Sequence, residues 1–92
     1  MIPLAPILIA AINARHSHAS MGARCLLANM GELREQTELA EFTIQQSAAE
    51  IAENIVARTP AILALGVYIW NSARVFELLP LLRHQSPQMK IV

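Results

Sequence analysis

The run PILIAAI, residues 6–12, carries no charged or hydrogen-bonding side chain. A strand with one face in water alternates apolar with polar residues. A strand covered on both faces reads as an unbroken apolar run, and strands are covered in that way in parallel sheets whose crossovers are helices. Pro6 bounds the run in front, and behind it comes NARHSHASMG, residues 13–22, which holds an arginine, two histidines and two serines in ten positions.

Outward from this strand the pattern repeats. From Ser20 onward, Ala23, Leu26, Leu27, Met30 and Leu33 recur at helical spacing while Arg24, Glu32, Arg34 and Glu35 fall mostly elsewhere, so a first helix is expected with Ser20 as its N-cap. Cys25 lies within this pattern and is read as inert core. ELAEF, residues 38–42, alternates as a short second strand. SAAE, residues 47–50, has the spacing of a capping box in which Ser47 and Glu50 serve each other's backbone amides. Ile51, Ala52, Ile55 and Val56 supply the buried stripe of a second helix, which Pro60 ends.

AILALGV, residues 61–67, is a second continuous apolar run and the third strand. After YIWN, residues 68–71, Asn71 or Ser72 can cap a third helix that faces the sheet with Val75, Leu78, Leu79 and Leu82 and ends near Ser86 and Pro87. Pro80 inside this pattern predicts a kink or an earlier end, because it removes a backbone donor and crowds the preceding turn. MKIV, residues 89–92, starts a fourth strand.

Strands alternating with helices at this period leave no room for hairpins. The expected fold is α/β, a flavodoxin-like (Rossmann-like) doubly wound parallel sheet with strand order 2-1-3-4. Residues 1–92 are expected to form one domain incomplete at its C-terminus, truncated before a fifth strand. In such sheets ligands bind outside the carboxyl ends of the strands where the strand order reverses. For this order that point lies between the first and third strands. The loops leaving those two strands, 13–20 and 68–71, are the polar and aromatic ones.

Composition narrows the function classes. With 54% hydrophobic and 15% charged residues the chain is too apolar for disorder, and its formal net charge of zero gives no footprint for nucleic acid or an anionic membrane surface. One cysteine makes no internal disulfide, zinc site or iron–sulfur cluster by itself, which fits a reducing, cytoplasmic setting. The N-terminal apolar run has no Lys or Arg before it, unlike a signal peptide, and no stretch approaches the roughly 20 apolar residues that cross a bilayer. No G-x-G-x-x-G follows the first strand, there is no P-loop motif, the residue ending that strand is Asn13 rather than the acid of a phospho-acceptor, and no Ser, His and acid spacing points to a hydrolase.

The loop residues each allow two readings. His16, Ser17 and His18 are either solvated or ligand-facing. Arg15 neutralises a phosphate or pairs with a neighbouring carboxylate. Tyr68 and Trp70 cap the core or stack on a ligand. Gly22 permits close approach of a ligand to the first helix, or only helix-to-strand packing.

Taken together, N-A-R-x-x-H-x-S-x-G at 13–22, L-A-N-x-G-E-L-R at 27–34 and G-V-Y-I-W-N at 66–71 resemble the N-terminal cobalamin-binding domain of radical S-adenosylmethionine proteins. The resemblance runs from the first strand to the start of the fourth. It implies a corrinoid held over the carboxyl edge of the sheet, with Asn13, Arg15, His16, Ser17, His18, Ser20 and Gly22 on one wall of the site and Tyr68, Trp70 and Asn71 on another. The D-x-H-x-x-G motif through which related methyltransferase domains give cobalt a histidine is absent, so no protein ligand to the metal is expected. The resemblance further implies that the catalytic machinery, a C-terminal radical domain with its [4Fe-4S] cluster and S-adenosylmethionine, lies outside this chain. A reading of another class is a non-catalytic interaction or oligomerisation domain with a vestigial ligand site, in which an exposed sheet edge pairs with a second copy.

Overall fold

A computed structural model describes residues 6–14 and 20–92 of the chain. The elements run β1 (Ile7–Asn13), α1 (Met21–Ala28), a 3-10 segment (Gly31–Gln36), β2 (Thr37–Thr43), α2 (Ala48–Ala57), β3 (Ile62–Leu65), α3 (Ser72–Gln85) and β4 (Lys90–Ile91). The four strands form one sheet in the order β2-β1-β3-β4, all parallel, with Ile7 opposite both Thr37 and Ile62. This is the flavodoxin-like α/β arrangement expected from the alternation of strands and helices, and the two interior strands, β1 and β3, are those that carry the continuous apolar runs.

Alternate residues of the strands serve the two faces. Leu8, Ala10 and Ile12 join Ala40, Phe42 and Leu63 in the main core, where Ile51 and Ile55 of α2 and Val75, Leu78 and Leu82 of α3 pack against them. Burial of this kind contributes roughly 1.5–3 kcal/mol for each large aliphatic side chain. On the opposite face Ile9 and Ala11 are also buried, and α1 lies over β1 and β2 there.

Three expectations are corrected. The first helix is shorter than its apolar spacing indicates: Asn29 caps α1, donating from its side chain to the Cys25 carbonyl at 2.7 Å, and Gly31 takes φ +59° to turn the chain into the 3-10 segment. Met30 and Leu33 therefore fall outside the helix, α1 buries none of its residues, and Leu26 and Leu33 are about half exposed. Cys25 accordingly is not core but exposed. At α2, Ser47 Oγ accepts from the Glu50 amide at 3.1 Å, as a capping box requires. The Glu50 carboxylate, however, accepts from Gln46 Nε2 instead of returning to Ser47.

Of the two outcomes expected at Pro80, an earlier end of the helix does not occur: α3 runs through Pro80 to Gln85. The carbonyl deprived of its donor belongs to Phe76, and both Phe76 and Pro80 lie on the exposed side of the helix.

Candidate functional site

The carboxyl ends of β1 and β3 meet at the point where the strand order reverses, and the two loops leaving them are pinned by two polar side chains of opposite character. Asn71 is fully buried. Its Oδ1 accepts from the Tyr68 amide at 2.7 Å, and its Nδ2 donates to the carbonyls of Ile12 and Gly66, each at 3.1 Å. It stands at the N-cap position of α3 but makes no side-chain cap hydrogen bond. Its side chain instead fastens the loop after β3 to the end of β1. Asn71 thus lies beneath the aromatic loop and not in the wall of the cleft.

Glu41 of β2 fastens the other loop. Oε1 accepts from Asn13 Nδ2 at 3.2 Å and from the Ser20 amide at 2.7 Å, so one oxygen holds both ends of the segment between β1 and α1. Its second oxygen pairs with Arg24 of α1. The Ser20 amide above all, with the Asn13 amide and the Arg24 guanidinium, holds the Glu41 carboxyl below its ordinary pKa against the opposing effect of partial burial. A carboxylate here also lies close to the positive end of the α1 dipole. Sequence reasoning did not single out Glu41, because an acid next to Phe42 in an alternating strand reads as solvent-facing.

Ser20 is the N-cap of α1 as expected, its Oγ accepting from the Ala23 amide at 3.1 Å. The amides of Met21 and Gly22, next along that first turn, have no acceptor among the described residues. Across from them the rings of Tyr68 and Trp70 stack with centroids 4.6 Å apart and planes within 2° of parallel. Tyr68 is 41% and Trp70 52% exposed. Between the two loops lies an open, mainly apolar cleft of about 450 Å³, walled by Asn13, Ser20, Met21, Gly22, Tyr68 and Trp70.

The structure thus brings Asn13, Ser20, Gly22, Tyr68 and Trp70 together around one cleft and sets Asn71 behind it. Arg15, His16, Ser17 and His18 lie outside the described residues. Among the described residues no three His, Cys, Asp or Glu side chains are grouped so as to hold a metal ion, and no helix is long and apolar enough to cross a membrane. No family model matches the chain, and no curated protein matches its sequence.

Proposed function

We propose that this chain is a corrinoid-binding module of a larger radical S-adenosylmethionine enzyme, with the ligand lying over the carboxyl edge of β1 and β3. The observation that carries the reading is the cleft itself. An apolar hollow with a few convergent polar groups at the strand-order reversal is where an α/β sheet of this kind takes a ligand. Its volume falls within the roughly 300–1,000 Å³ usual for ligand sites, at a size that receives one edge of a corrin and leaves the rest to be covered from outside.

The residues present fit such a group. A corrin is a broad apolar macrocycle fringed with amides and carrying a phosphodiester tail. The Ser20 hydroxyl, the Asn13 amide and the Met21 and Gly22 backbone amides offer hydrogen bonds to the fringe and the tail, and Trp70 offers a flat face. Glu41 and Asn71 hold the walls in register without entering the cleft. When bound, a corrinoid supplies a cobalt centre able to carry a methyl group. Titration with hydroxocobalamin tests the reading: co-elution on gel filtration with a change in corrin absorption is expected, and the absence of both overturns it.

A second reading is an oligomerisation module with a vestigial site, in which a sheet edge pairs with a second copy. It requires a dimer or larger species in light scattering. A monomer at high concentration excludes it.

A further inference from the structure

We propose that the face of the sheet bearing α1 is a homodimer interface, in which α1 of each copy lies over β3 and β4 of the other about a two-fold axis that runs along the strands. The sequence of α1, MGARCLLA, has a single charged residue, and that residue, Arg24, is paired with Glu41 on the β2 side. A helix apolar around the rest of its circumference belongs to an interior. Yet α1 buries none of its residues, and Cys25 and Leu26 are exposed.

The sheet beneath it is covered unevenly, although a parallel sheet is ordinarily covered on both faces. On one face α2 and α3 pack against Leu8, Ala10, Ile12 and Leu63. On the other α1 lies over β1 and β2, and Ile7 and Ile9 are buried there. Their neighbours in register on β3, Ile62 and Ala64, keep partial exposure, and Lys90, beside Ile62 on β4, is exposed. Ala23, Leu26 and Ala64 line the groove between the helix and this open strip.

A half-covered face of this kind is complementary to its own copy under one symmetry operation. Neighbouring strands lie about 4.8 Å apart, so the middle of the β3 and β4 pair is about 9.6 Å from the middle of the β1 and β2 pair on which α1 sits. A two-fold axis along the strands, midway between the pairs, lays the second copy's α1 over β3 and β4. The two helices then stand side by side at about the 8–10 Å of packed helices. A two-fold across the strands stacks α1 on α1 and leaves both strips open. The contact is isologous, each copy supplying the cover that the other lacks. It sets Leu26 beside Leu26 of the second copy at the axis and turns Cys25, on the outer side of α1, toward the second copy's sheet.

The charges match in the same arrangement. α1 ends over the amino ends of the strands, where Lys90 also lies, opposite Ile62 at the start of β3. The second copy therefore brings the C-terminus of its α1, and the exposed Glu32 that follows it, to Lys90. A helix C-terminus and an acid both stabilise a cation. The inference goes beyond the corrinoid assignment and does not require it, and it uses a face of the sheet rather than an edge.

Light scattering on gel-filtered protein at increasing concentration is expected to show conversion of monomer to dimer. Leu26→Glu, at a residue about half exposed in one copy, should keep its fold by circular dichroism and remain monomeric. Lys90→Glu is expected to weaken the dimer about fivefold, and Glu32→Lys added to the same chain to restore it. Iodoacetamide labelling of Cys25, the sole cysteine, should be fast in dilute protein and slow down as the dimer forms. A monomer at every concentration overturns the proposal and leaves the strip to a helix of another chain or domain. So does a dimer that Leu26→Glu leaves intact, or one whose Cys25 is labelled at the monomer's rate, because such a dimer is built on another surface. Should Leu26→Glu not fold, the charge reversal, its rescue and the labelling decide.

Discussion

The side-chain amide of Asn71 reaches across 59 residues of sequence to donate to the backbone carbonyl of Ile12, 3.1 Å away at the end of the central strand. Because Asn71 has no exposure to water, each of its three hydrogen bonds replaces one that solvent supplied to the unfolded chain.

Asn71→Ala therefore strands the Ile12 and Gly66 carbonyls and the Tyr68 amide. A loss of about 2–3 kcal/mol in urea unfolding is expected, the scale set by leaving buried polar groups unpaired. Asn71→Asp keeps the acceptor for Tyr68 but loses both donors, so it is expected to be similarly unstable at neutral pH and to recover in part in acid, where a protonated carboxyl donates once. A change below about 0.5 kcal/mol for Asn71→Ala would show that the latch is dispensable.

Glu41 makes the loop before α1 sensitive to acid. Its pKa is lowered in the fold, chiefly by the Ser20 amide, so its contribution to stability is fully present above the ordinary carboxylate range and is lost as the pH falls through the lowered value. Urea midpoints measured from pH 6 downward should decline through this window in the wild type, and Glu41→Gln should flatten the decline. Arg24→Ala is expected to cost less than about 1 kcal/mol, since Arg24 is half exposed. Glu41→Ala is expected to cost more, because Ser20 and Asn13 lose their shared acceptor. Identical acid profiles for wild type and Glu41→Gln would assign the effect to other carboxylates.

The strands and the two helices of the main core were legible because burial on both faces leaves unbroken apolar runs in β1 and β3 and a regular stripe in α2 and α3. The first helix was overread because apolar spacing does not distinguish a helix from a helix followed by a 3-10 segment; Gly31 at positive φ makes the break. The position of the cleft was legible from topology, since it lies between the two loops that leave β1 and β3 at the reversal. Its supports were not. Glu41 meets partners 28 and 21 residues earlier in the sequence, and Asn71 one 59 residues earlier, and such pairings exist only once the sheet has brought the loops together.

That difference between the helices is measurable. Leu78 is fully buried and Leu26 is 48% exposed. Leu78→Ala is expected to cost about 2–5 kcal/mol, and Leu26→Ala well under half as much. Cys25, exposed at the start of the second turn of α1, should be alkylated by iodoacetamide in the native protein. Equal costs for the two leucines, or a thiol protected until unfolding, would restore α1 to the core.

The last prediction concerns Gly22, where cleft, helix terminus and aromatic loop meet. A side chain there projects at the Tyr68 hydroxyl, 3.2 Å from where its Cβ would stand, and into the cleft beyond. Valine adds two further methyl groups at a position that is exposed and outside the core, so the fold should persist by circular dichroism. Hydroxocobalamin affinity is expected to fall at least about tenfold, or roughly 1.4 kcal/mol. His84→Ala is the matched control, because His84 is exposed in the last turn of α3, whose C-terminal end leads to the start of β4 at the opposite edge of the sheet from the cleft. Equal affinities in the two variants would move the corrinoid away from the β1 and β3 loops, and a loss in both would indicate damage to the fold as a whole.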